Sequence, residues 1–156
     1  MANKSFNLHP QQLSLADGTE LRLCPLDRTH GKPLYCSADG RFFNSSGKQL
    51  RPSILHQRTW RSHNGVWGSH YPSMRQYGNC HILIALTWIG PRPTAINPLT
   101  GESVCYECHH RNGDMYDNRA SNLIWLSRDD HRRYDAALRT AIRHGLNLAG
   151  DVYEGD

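Results

Sequence analysis

The chain has ten histidines in 156 residues. Two stand side by side at His109-His110, and another follows at His131. A neutral imidazole accepts a proton near neutral pH and is also a common ligand of divalent metals. An adjacent pair plus a later third could therefore supply a general base and a metal site, the two parts that metal-assisted hydrolysis needs. Asn122 falls between them, and its amide can donate to and accept from backbone groups on either side of a loop.

These side chains are useful only if the backbone brings them together. Residues 104–109 combine β-branched and aromatic side chains and predict a strand. Asn112-Gly113-Asp114 is turn chemistry, and residues 117–119 continue the loop. Leu123-Ile124-Trp125-Leu126 predicts a second, apolar strand. Ser127 then offers an N-cap, with Asp130 in the capping-box position. Tyr134, Ala137, Leu138, Ala141 and Ile142 recur with helical period, and Gly145 suits a C-cap. His131 lies one turn before Tyr134, at the margin of the inward face, where it can point back at the strand ending in His109-His110. The class expected is α+β.

The order His109, His110, Gly113, Asn122-Leu123, His131 resembles the motif of HNH endonucleases of the homing and phage type. Residues 78–93 are similar to the helix and Pro-containing link that precede the motif in that family. Tyr35-Cys36-Ser37-Ala38-Asp39-Gly40-Arg41, with Leu50-Arg51-Pro52, resembles a small β module often found at its N-terminus. The resemblance implies a ββα-metal (His-Me finger) nuclease core in residues 78–150, an N-terminal β-rich module in 1–77 and an acidic tail in 151–156. It implies hydrolysis of DNA phosphodiester bonds, by nicking or double-strand cutting, with His110 as general base. His109 and His131 would hold one divalent ion, and Asn122 would tie the loop and so fix the direction of His110. Because neighbouring strand residues face opposite ways, the family layout implies a distorted strand end that lets His109 and His110 serve one phosphate. The alternative is a module of the same fold that binds DNA without cutting it.

One position departs from the pattern. Many relatives carry Asp before the base, where this chain has His109. Two imidazoles make a softer site, so manganese, nickel, cobalt or zinc are expected to serve at least as well as magnesium. Asp114, Asp130 or Asp135 could add an oxygen ligand, and spacing does not choose among them.

The formal charge of +4 suits a polyanionic partner such as double-stranded DNA. Arg128, Arg132, Arg139 and Arg143 fall on one side of the predicted helix, which is either a phosphate-tracking face or a solvated one. Arg111 and Arg119 lie in the loop of the motif. Arg58 and Arg61 belong to a stretch, residues 57–77, where basic and aromatic side chains interleave; it suits a nucleic-acid groove or a hairpin with aromatic cross-strand pairs. Short strands are expected at Leu21-Arg22-Leu23-Cys24 and Leu34-Tyr35-Cys36, and a hairpin around Ser45-Ser46-Gly47-Lys48. Residues 91–98 read as a Pro-containing loop. Residues 1–20 carry no run of signal or membrane length, so a cytoplasmic protein with reduced thiols is expected. Cys105 and Cys108 have the spacing of zinc ligands, with Cys24, Cys36, Cys80 and His81 as possible partners, but no second C-x-x-C completes a structural zinc set.

Overall fold

The computed structural model describes residues 9–26, 32–53, 71–75 and 77–145. The architecture is mixed α and β. Five short antiparallel strands, β1 (Gln12–Ser14), β2 (Glu20–Leu23), β3 (Tyr35–Cys36), β4 (Phe42–Phe43) and β5 (Gln49–Leu50), form one sheet in sequential order. Turn residues explain its simple meander. Asn44 accepts backbone N–H bonds from Ser46 and Lys48, and Gly47 sits at φ 78°, so the β4–β5 hairpin closes where the sequence places it.

The chain then forms a small hairpin, β6 (Ser73–Met74) with β7 (Gly78–Asn79). A buried helix follows, α1 (Cys80–Ile84), which continues as a wider π turn over Ala85–Ile89 and stops at Gly90, where φ is 135°. Helix α1 is short but apolar, and it anchors the centre of the core. Leu83, Ile84 and Ala85 pack with Cys24, Leu34, Cys36 and Phe42 of the first sheet on one side and with Leu123 and Trp125 on the other. One buried cluster therefore runs from the N-terminal sheet into the C-terminal half. A second cluster, Leu21, Leu23, Tyr35 and Phe43, fills the other face of the sheet.

The predicted strand at 104–109 is in fact two. β9 (Ser103–Val104) pairs with β8 (Ala95–Ile96), which lies inside the expected Pro-containing loop, and Cys105 breaks the run. β10 (Tyr106–His110) pairs with β11 (Leu123–Ser127) in an unbroken antiparallel ladder from Tyr106↔Ser127 to His110↔Leu123. Helix α2 (Arg128–Arg143) follows directly. Ser127 Oγ accepts the Asp130 N–H at 3.2 Å and donates to the Asp130 carboxylate at 2.6 Å. This is half of a capping box, and Asp129 and Asp130 place negative charge at the positive end of the helix. Gly145 follows the helix at φ 68°, as its predicted capping role requires. Ala137 is exposed, so the inward stripe is narrower than its periodicity suggested. No helix among the described residues is long and apolar enough to cross a membrane.

Candidate active site

Strand alternation divides β10 into two faces. Glu107 and His109 face α2; Cys108 and His110 face α1. The contacts agree. His109 packs edge-on to His131 and Tyr134, with ring centroids 4.7 and 4.5 Å apart. Cys108 Sγ lies 3.7 Å from the His81 carbonyl, and the His110 ring is 5.1 Å from that of His81. The ladder stays regular through His110, so the expected distortion of the strand end is absent. The two neighbouring histidines serve different faces.

On the α2 face, His131 and Asp135 are one turn apart and meet His109. His131 Nε2 is 3.6 Å from one Asp135 oxygen, and His109 Nδ1 is 3.8 Å from the other. His109, His131 and Asp135 each offer a ligand atom within 4.8 Å of the others, the one such group of three among the described residues. Of the three aspartates left open by spacing, Asp135 is thus the one beside the imidazoles. Glu107 completes the arrangement: its carboxylate accepts the His131 Nδ1–H at 2.7 Å. That bond places the proton on Nδ1 and leaves the Nε2 lone pair facing Asp135, the way an outer carboxylate orients a metal-bound histidine. Glu107 is held in its ionised form chiefly by that hydrogen bond, with a second from Arg128 at 3.0 Å. Burial pushes His109 down to about 4, so its ring is neutral at neutral pH, and its Nε2 is buried without a hydrogen-bond partner. A neutral imidazole whose Nδ1 faces Asp135, a second with its lone pair set by Glu107, and a carboxylate form a donor set that fits a divalent ion.

On the other face, His110 Nε2 lies 2.9 Å from Asn118 Oδ1, and both residues are buried. An amide oxygen only accepts, so the contact puts the imidazole proton on Nε2 and leaves Nδ1 basic. The direct partner of His110 is therefore Asn118, while Asn122 ties the loop. Asn122 Oδ1 accepts the Asn112 N–H, and its Nδ2 donates to Asn112 Oδ1 and to the Asp117 carbonyl. Arg119 grips Asp117 through two bonds of 2.8 and 2.7 Å, and the Asp117 carboxyl falls to about 2, chiefly through them. The first sheet holds this loop from behind. Ala38 O accepts the Ala120 N–H, and a Cβ at Gly40 would come within 3.0 Å of the Asn118 carbonyl. Gly40 also has φ 90°, so both space and backbone conformation require glycine there.

The remaining candidates are scattered. Arg111, Arg119, Arg128, Arg132, Arg139 and Arg143 are all exposed, with Arg119 held by Asp117 and Arg128 by Glu107. Arg58 and Arg61 lie outside the described residues. Cys105 is exposed and Cys108 is buried, with its thiol pushed up to about 12 by burial. The two do not converge with further metal ligands among the described residues. Cys24 and Cys36 approach to 3.6 Å deep in the core, where their mutual hydrogen bond and burial hold the Cys36 thiol protonated.

Glu107 and Asn118 are not among the sequence candidates for chemistry; His81 is one only as a possible zinc partner, and Tyr71 falls only within the basic-aromatic stretch. Glu107 could have been found from strand alternation, since it shares the face of His109. Compared with protein-family models, with curated proteins and with solved structures, the chain matches none.

Proposed function

We propose that the chain is a metal-dependent endonuclease of the HNH, ββα-metal type that hydrolyses DNA phosphodiester bonds. One observation carries this reading. A three-residue metal-competent cluster and an Asn-anchored imidazole come from adjacent residues of one strand, closed by one helix. Hydrolysis of a phosphodiester requires a proton acceptor for water and a positive charge beside the phosphate, and these two half-sites match that pair of demands.

His110 takes the proton from the attacking water on Nδ1, while Asn118 keeps its Nε2–H in place and fixes the ring. The oxygen–phosphorus bond forms as the bond from phosphorus to the 3′ oxygen breaks, and the 3′ oxygen takes a proton from solvent water, leaving a 5′-phosphate and a 3′-hydroxyl. A divalent ion held by His109, His131 and Asp135 supplies Lewis-acid stabilisation of the phosphate when bound. Glu107 keeps His131 in the ligating tautomer. Two nitrogens and one oxygen favour manganese, cobalt, nickel or zinc over magnesium. Exposed arginines on α2, Arg132, Arg139 and Arg143, offer phosphate contacts along the helix that carries His131 and Asp135.

The test is plasmid cleavage with each of these ions and with a chelator. Manganese-supported conversion of supercoiled DNA to nicked or linear forms, abolished by chelation, is the expected result. DNA binding with no cleavage under any ion would favour the non-cutting module instead.

A further inference from the structure

The two half-sites lie on opposite faces of β10, yet one phosphate must reach both. The way round is the edge of β10 that does not pair with β11. A pocket of about 300 Å³ is lined by the neighbours Glu107 and Cys108, which face opposite ways on the strand, together with Tyr71, His81, Arg128 and His131. A pocket that collects side chains from both faces of a strand has to sit across its edge.

Resting on the nuclease reading, we propose that Tyr71 is a further catalytic residue of this site, its phenol donating a hydrogen bond to a non-bridging oxygen of the scissile phosphate. Tyr71 comes from outside the hairpin and helix. It is fixed by the next residue, since the Pro72 carbonyl accepts the Cys80 N–H at 2.9 Å at the start of α1. Its ring stacks on His110 at 6.0 Å with an interplanar angle of 7°, and lies 4.5 Å from His81. It therefore stands beside the general base while lining the same pocket as the metal ligand His131.

Arg92 and Tyr106 also line the pocket, Arg92 with its guanidinium 5.3 Å from the Trp125 ring centroid; of these and Tyr71, Tyr71 is the one with a ring contact to His110. The His131 Nδ1–H is committed to Glu107, and so is Arg128, which also reaches Cys105 Sγ at 3.5 Å. His81 is 5 % exposed, and burial, with the charge of His110, pushes it down to about 4, so it brings no positive charge. Tyr71 is 38 % exposed, and its hydroxyl has no hydrogen-bond partner among the described residues. Burial and the negative charges of Asp135 and Glu107 hold the phenol above its ordinary range, so it keeps its proton at neutral pH. During the reaction the water proton goes to His110 and the electron pair of the broken bond leaves with the 3′ oxygen. Tyr71 stays protonated throughout and meets only the charge growing on phosphorus-bound oxygen.

The test compares Tyr71→Phe, His110→Ala and the parent in single-turnover plasmid cleavage with manganese, alongside manganese titration calorimetry and thermal melting. Tyr71→Phe keeps the ring and its stack on His110. The expected result is a rate loss of about a hundredfold, the lower end for a lost oxyanion donor, with KM and manganese affinity within about twofold of the parent. Tyr71→Phe cutting as fast as the parent, while His110→Ala is slow, would overturn the role of Tyr71 and leave the nuclease reading standing. A raised KM at unchanged kcat would also overturn it, reducing Tyr71 to a ground-state contact. Absence of cleavage by the parent with every ion would remove the nuclease reading and the role of Tyr71 with it.

Discussion

The N-terminal sheet and the β10–β11–α2 unit bury different chemistry. Inside the sheet the buried side chains are apolar: Leu21, Leu23, Leu34, Tyr35, Phe42 and Phe43 among them, with Ser37 the one buried polar residue from strands β1–β5 and their described connections. The hairpin and its loop bury His109, His110, Asn118 and Asn122. Burying a polar group costs free energy unless it is hydrogen-bonded. His110, Asn118 and Asn122 are bonded, whereas His109 keeps an unpaired nitrogen. One region buries almost only apolar side chains, and the other buries a group of polar ones. They meet where Ala38 and Gly40 press on the loop that carries Asn118.

The sharpest way to break that division is through the core of the sheet. Phe42 is fully buried in the shared cluster. Phe42→Ala should destabilise the fold by about 3–5 kcal/mol. Urea unfolding measures the loss, and manganese titration of the remaining folded protein should give the parent affinity. A large fall in that affinity would mean that the sheet shapes the metal ligands directly.

Glu107→Ala makes the converse change. It should weaken manganese binding by roughly 10- to 100-fold, the range for a lost outer-shell partner, and leave the melting temperature almost unchanged. Calorimetry on a folded variant decides it. Parent-like affinity would show that the His131 tautomer does not depend on Glu107.

The smallest expected effect is on acid stability. His81 titrates at about 4 in the folded chain, below the ordinary histidine value, because it is buried. The unfolded chain therefore takes up the proton first as pH falls. Stability from this group is complete above about pH 6.5 and is lost as pH drops toward 4, by at most about 1.4 kcal/mol per pH unit. His109 acts in the same direction. Melting curves of the metal-free protein across this window should show the fall, and His81→Gln should flatten it. An unchanged slope in the variant would place the acid sensitivity elsewhere.

Much of the local structure was legible in the residues. Turn chemistry at Ser45-Ser46-Gly47-Lys48 marked the β4–β5 hairpin, apolar content marked β11, and Ser127 with Asp130 marked the start of α2. Helical spacing also placed His131 where it could meet His109, and the rings do meet. Lateral packing was not legible. Asn118 and Asn122 are one loop apart in sequence and alike in chemistry; only the path of the loop decides which one touches His110. Cys105 breaks a run that reads as one strand, because the partner strand β8 hides in a Pro-containing stretch. Tyr71 and His81 reach the site by tertiary packing of a hairpin and a short helix, and no periodicity near His110 reports them.

The central claim is that one imidazole moves the proton while a separate set of side chains holds the metal. The most direct measurement is His110→Ala assayed for both functions on one preparation: plasmid cleavage with manganese, and manganese affinity by calorimetry. The predicted result is a fall in cleavage rate of roughly two to four powers of ten, the range for a lost general base, at parent-like metal affinity. Cleavage as fast as the parent would contradict the account, and so would loss of metal binding along with the cutting.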